Sequence, residues 1–134
     1  MDLDELAQDF QLLNNRERFI YLIELGEQLP TYPEQHKTKE YEVPGCTSLV
    51  YIRPERQEDK LVFKGYAAAK AVKGYVYILT QALSNKTPTQ VINDQEIETF
   101  IREAQMNLTT RVSRAEAFGT IYQFIKEQAR IFKE

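Results

Sequence analysis

The residue best equipped for chemistry in this sequence is its single cysteine, Cys46, in the run Val43-Pro44-Gly45-Cys46-Thr47-Ser48. Pro-Gly marks a turn, so the thiol is expected on a loop between two extended segments. Cysteine attacks through its thiolate. An unperturbed thiol, with a pKa of about 8.5, is only slightly ionised at neutral pH. A nearby Lys or Arg, or a helix N-terminus, would raise the ionised fraction. Lys73, Arg53 and Arg114 are the candidate cations, although each also reads as an ordinary solvated charge. The competing reading of Cys46 is a small buried hydrophobe. Its place on a loop weighs against that reading, because loops lie on surfaces and carry function disproportionately.

Other chemistries have less behind them. His36 is the only histidine and could serve Cys46 as a base in a hydrolase. No oxyanion-hole motif or orienting acid accompanies the pair. One histidine and one cysteine do not make a four-ligand zinc site of the usual N/S kind. Gly65, Gly74 and Gly119 are too scattered for a phosphate-binding loop. The carboxylates fall where helix caps and solvated faces expect them. Tyr32, Tyr41, Tyr51 and Tyr66 flank the cysteine segment and the strands. They fit sheet or core packing, with a partner surface as the alternative.

Composition sets the frame for this chemistry. The 134 residues are 43% hydrophobic and 28% charged, which suits a single globular domain, 1–134, with its own core. A net charge of -3 argues against nucleic acid as partner, and no apolar run is long enough to cross a membrane. The opening Met1-Asp2-Leu3-Asp4-Glu5 is unlike a secretory signal, and a lone cysteine fits a reducing compartment. A cytoplasmic location is the expectation.

The elements that must position Cys46 follow from periodicity and capping. Asp2 with Glu5 opens a helix burying Leu3, Leu6, Ala7, Phe10 and Leu13. Asn14 with Glu17 opens a second, with Phe19, Leu22, Ile23 and Leu25 inward, ending near Gly26. Residues 31–41 form a solvated connection. Three extended segments follow at Glu42-Val43, Ser48 to Arg53 and Lys60 to Tyr66, with Pro54 closing the second and Glu55 to Asp59 as a hairpin loop. A helix then carries Ala68, Ala71, Val72, Tyr75, Ile78, Leu79 and Ala82 on one face. Gly74 inside it costs about 1 kcal/mol against alanine and needs a packing or functional reason. Thr87-Pro88 with Gln90, Asn93 with Glu96, and Ser113 with Glu116 open three more helices. The last buries Phe118, Ile121, Tyr122, Ile125, Ala129 and Phe132. The order predicts an α+β fold, a short antiparallel sheet of about three strands packed against helices.

Four segments in register resemble the SufE family of sulfur acceptors. They are Ile23-Glu24-Leu25-Gly26-Glu27-Gln28-Leu29-Pro30, Val43 through Tyr51 around Cys46, Gly65 with Val72-Lys73-Gly74, and Ser113-Arg114. The resemblance covers nearly the whole chain and implies a SufE/NifU-like fold. The departures cluster near the cysteine loop. Gly65-Tyr66-Ala67-Ala68 stands where the family commonly has an acidic Gly-Asp-Ser segment. Thr47 replaces Gln, Tyr51 replaces Trp, Tyr41 often replaces Asn, and Ala117 replaces a glycine. They bear on how the loop is held and which desulfurase is recognised.

The resemblance implies a sulfur carrier working beside a cysteine desulfurase rather than a stand-alone enzyme. The desulfurase, using pyridoxal phosphate, would hold sulfur as a persulfide. Cys46 would take that sulfur and pass it to an iron–sulfur cluster scaffold. No cofactor is expected in this chain itself. Pro44, Gly45, Thr47, Ser48, Lys73, Gly74 and Arg114 are the expected loop-supporting or partner-binding residues, and the Pro44-Gly45-Cys46 loop is expected to move. The alternative is a module that binds and modulates a desulfurase or another partner without carrying sulfur.

Overall fold

In a computed structural model, residues 1–105 and 112–133 are described, the side chains of 112–115 excepted. Two helices, α1 (Leu3–Gln11) and α2 (Asn15–Gly26), lead through two single 3-10 turns to a hairpin of β1 (Val50–Gln57) and β2 (Lys60–Ala67). Four helices follow: α3 (Lys70–Leu83), α4 (Pro88–Ile92), α5 (Glu96–Glu103) and α6 (Val112–Lys133). The architecture is α+β, as expected.

The predicted caps that the structure describes sit mostly where sequence puts them. The Asp2 carboxylate accepts from the Glu5 N–H. Asn14 with Glu17, and Thr87 with Gln90, form reciprocal capping boxes. Each such side chain satisfies a helix N–H that has no partner within the helix. The start of α5 differs from the Asn93 expectation. The Asp94 carboxylate takes the Ile97 N–H at 3.0 Å, and the Tyr122 hydroxyl donates to the same oxygen at 3.0 Å. A carboxylate this deeply buried needs such partners. Among the described residues it pairs with Lys86, whose Nζ lies 3.9 Å from Oδ1. Burial and the Asp94 charge push the Tyr122 phenol well above its ordinary pKa.

The sheet has two strands rather than about three. Glu42 makes only an isolated bridge to Tyr51, and the Val43 N–H donates to the Val50 carbonyl at 2.9 Å. Pro44 follows at once and turns the chain away, so no strand extends from this pairing. Pro54 does not end the second extended segment. It lies inside β1, opposite Phe63. Here the backbone nitrogens face away from the partner strand, since the Phe63 N–H donates outward to Ser84 Oγ. A proline costs no ladder hydrogen bond at such a position. The hairpin loop therefore shrinks to Glu58-Asp59, with Glu58 at φ 59°.

One side of β2 (Leu61, Phe63, Gly65 and Ala67) is buried in strict alternation. It packs against α3, which joins α2 and α6 to the same core. Tyr75, Ile78 and Leu79 are buried as expected, whereas Ala68 is exposed and Ala82 half-buried. Phe19, Ile23, Leu13, Ile101 and Phe132 are half-buried at the periphery. Arg18, by contrast, is 4% exposed. Its Nε donates to the Phe10 carbonyl at 2.8 Å, and its Nη1 reaches the Gln105 carbonyl at 3.4 Å. Arg18 thereby joins the carboxyl end of α1 to the turn after α5, where a cation is favoured.

Gly74 has the packing reason its position demands. A Cβ there would lie 2.3 Å from the Leu22 carbonyl oxygen, and one on Gly26 would lie 2.5 Å from Lys73 Cβ. The α2 and α3 backbones touch through this pair of glycines. Tyr32 and Tyr51 are buried, with ring centres 6.0 Å apart, so packing explains these two. The half-buried Tyr66 ring carries Lys37 Nζ at 3.9 Å from its centre. Among the described residues, no helix is long and apolar enough to cross a membrane.

Candidate functional site

Cys46 lies on a loop, 44–49, whose base is held by the chain's own backbone. Val43 N–H to Val50 O closes one side, and Ala68 N–H to Leu49 O ties the other to the segment leading into α3. Pro44 followed by Gly45 at φ +81° is the central pair of a type II turn. A side chain at position 45 would be strained for that reason. The loop rests on α6, where a Cβ on Gly45 would come 3.9 Å from Thr120 Cγ2. Pro44, Gly45 and Thr47 are exposed, and Ser48 is half-buried.

The Cys46 thiol is half-buried and packs against the edge of the hydrophobic core. Burial pushes its pKa up, and no cation offsets that rise among the described residues. No described contact brings an expected helper to the thiol. The Arg53 guanidinium pairs with Glu55. Lys73 and Gly74 belong to the α2–α3 crossing, and no described contact carries Lys73 to the thiol. The Arg114 side chain lies outside the described residues, as does that of Ser113. His36 sets its ring edge-on against Tyr41, 6.3 Å between centres, and no described hydrogen bond joins it to Cys46. The loop residues 44–48 are thus contiguous around the thiol, and no described contact brings Arg53 or Lys73 to it.

The structure adds a feature that periodicity alone does not mark. A shallow groove of about 760 Å³ runs from Pro44 along α6, with Ile101, Phe124 and Thr120 among its apolar and small linings. Gly119 lies in it, and a Cβ there would meet nothing within 4 Å. A mid-helix glycine with open space around it costs stability without an internal packing gain. Gly119→Ala is expected to stabilise the fold by about 0.5–1 kcal/mol, read as an increase in the urea midpoint at unchanged slope.

What this arrangement can do is hold one half-buried thiol beside a turn, on a loop fixed at its base. A protonated, half-buried thiol is a poor nucleophile until it is exposed or given a positive neighbour.

Comparison with known proteins follows the same lines. A family model described as SufE, Fe-S metabolism associated domain, matches residues 4–129. An uncharacterized SufE-like protein of Synechocystis sp. (strain ATCC 27184 / PCC 6803 / Kazusa) is 29% identical over 133 residues, covering 98% of this chain and 82% of that protein. Another from Rhizobium meliloti (strain 1021) is 31% identical over 134 residues, covering 95% of this chain and 94% of the relative. The solution structure of a hypothetical protein from Thermus thermophilus has the same fold. Its TM-score is 0.74 at 18% identity, over 96% of this chain and 93% of the other.

Proposed function

The chain belongs to the SufE family, whose domain is associated with Fe–S metabolism, and on that premise we propose that Cys46 is the acceptor of a sulfur carrier. The donor is a cysteine desulfurase holding sulfur as a cysteine persulfide. The Cys46 thiolate attacks the outer sulfur. A new S–S bond forms to Cys46 Sγ as the donor's own S–S bond breaks. The donor cysteine leaves as a thiolate, and Cys46 keeps the outer sulfur with its hydrogen. No external oxidant or reductant enters, because the step is an exchange of one S–S bond for another. An acceptor thiolate of an iron–sulfur cluster scaffold then attacks that outer sulfur, the Cys46 S–S bond breaks, and Cys46 leaves as a thiolate.

One observation carries this reading: the sequence's only cysteine sits beside a type II turn on a loop whose base is fixed. A fixed base with an exposed Pro44-Gly45 lets the loop turn outward without disturbing β1. The half-buried resting position keeps a loaded sulfur away from reductants. Pro44, Gly45, Thr47 and Ser48 are the loop's own contacts to the donor. Lys73, Gly74 and Arg114 are the residues that the family resemblance adds as loop supports or partner contacts.

The test is intact mass without reductant after incubation with a cysteine desulfurase and free cysteine. The protein should gain about 32 Da per sulfur, and Cys46→Ser should gain none. Turnover and binding of the desulfurase with no mass gain would instead favour a module that modulates its partner without carrying sulfur.

A further inference from the structure

A second surface, sharing no residue with the Cys46 loop, lies on the outer side of α1 and α2. Leu12, Leu13, Ile20 and Tyr21 line a trough of about 430 Å³ there. Leu12 is 84% exposed and Ile20 47% exposed, which is unusual for large apolar residues gathered in one place. The Tyr21 ring joins the trough to the core, 5.3 Å from the Phe10 ring centre. Asp9, Glu17 and Glu24 form the rim. None of these three makes an ion pair among the described residues. Asp9 instead accepts from the Tyr21 hydroxyl, and Glu17 from the Asn14 N–H. Arg16, the one exposed cation in this stretch, does not line the trough.

We propose that this trough docks a basic amphipathic helix of a protein partner, with its apolar side chains in the trough and its Lys or Arg residues on the acidic rim. The rim decides among occupants. A second copy meeting this face through a two-fold axis would set carboxylates against carboxylates, in a chain already at net charge -3. An anionic bilayer meets the same repulsion. A basic helix satisfies both the trough and the rim, by the helix-in-groove mode. Because the trough is separate from Cys46, such a partner can be held while the thiol loop stays free.

The test uses a synthetic helical peptide with leucines at i, i+3, i+4 and i+7 and lysines elsewhere. A scrambled peptide of the same composition and a version with glutamates for lysines are the controls. Amide shifts in NMR should be confined to 9–24. The scrambled peptide should bind about tenfold more weakly or worse, and the glutamate peptide should not bind. Leu12→Ser with Ile20→Ser should cost at least about tenfold in affinity. Glu24→Lys and Glu17→Gln, the latter keeping the α2 capping box, should weaken binding and flatten its salt dependence. Cys46→Ser should leave peptide binding unchanged while abolishing sulfur loading, which separates this proposal from the sulfur-carrier reading. Four results would each overturn it: equal binding of the scrambled peptide with shifts across the whole acidic surface, no binding at about 1 mM, a dimer dissolved by the double serine change, or adhesion to anionic vesicles lost in that variant.

Discussion

Alkylation of free Cys46 by iodoacetamide should accelerate about a hundredfold from about pH 6 to about pH 8, with no plateau in that range. The reason is the sign of the perturbation. Burial raises the thiol pKa, and no neighbouring cation lowers it among the described residues. Below the pKa the thiolate fraction grows about tenfold per pH unit, so a thiol pushed upward stays on the rising limb throughout. A cysteine beside a lysine or at an aligned helix N-terminus would level off near neutrality. Adding a catalytically inactive cysteine desulfurase should either block the thiol or bring the plateau to lower pH. Both outcomes fit a thiol activated by its partner. A plateau near pH 7 in the free protein would mean that a basic group reaches Cys46 in solution, with Arg114 the first residue to change.

Gly74→Ala should be the most damaging single-methyl addition in the fold, costing about 3 kcal/mol or more. The added carbon would sit 2.3 Å from the Leu22 carbonyl oxygen, with Leu22 Cα at 2.9 Å. Both are backbone atoms, so no rotamer change relieves the contact and α2 must move as a body. The usual gain of alanine over glycine in a helix, about 1 kcal/mol, is too small to offset this. Urea unfolding should show a much lower midpoint. Gly119→Ala on α6 is the control, because the same chemical change there meets open space and should raise the midpoint.

The two glycines also show how far sequence reading reaches. That Gly74 needs a reason is legible, because glycine in an apolar helix is costly wherever it stands. Its partner Leu22 is not, since ridge-and-groove contact between α2 and α3 leaves no local pattern. Caps at Asp2, Asn14 and Thr87 are legible because both members lie within one turn of helix. Before α5 local pattern points to Asn93, whereas the side chain that takes a first-turn N–H is that of Asp94, held by its bond to Tyr122 on α6. Pro54 reads as a stop because the rule against proline in sheets depends on which way its nitrogen faces. That direction exists only once β1 and β2 are paired. Around Cys46 the turn is legible from Pro44-Gly45. The absence of a described cation near the thiol is not, since Arg53 and Lys73 are drawn off by Glu55 and the helix crossing.

The placing of Pro54 has a wider consequence. A two-stranded hairpin has two open edges, and such edges invite another chain to add itself as a strand. Here most of that invitation is withdrawn. On the β1 side, the Val50 carbonyl is taken by Val43, the Ile52 carbonyl by Gln128 Nε2 at 2.8 Å, and Pro54 has no N–H to offer. On the β2 side, the Leu61 N–H is taken by Lys86 and that of Phe63 by Ser84. An incoming strand would meet a ladder interrupted at these positions on both flanks, which disfavours fibril seeding and strand addition at this hairpin. That favours recognition through side chains, turns and helix faces.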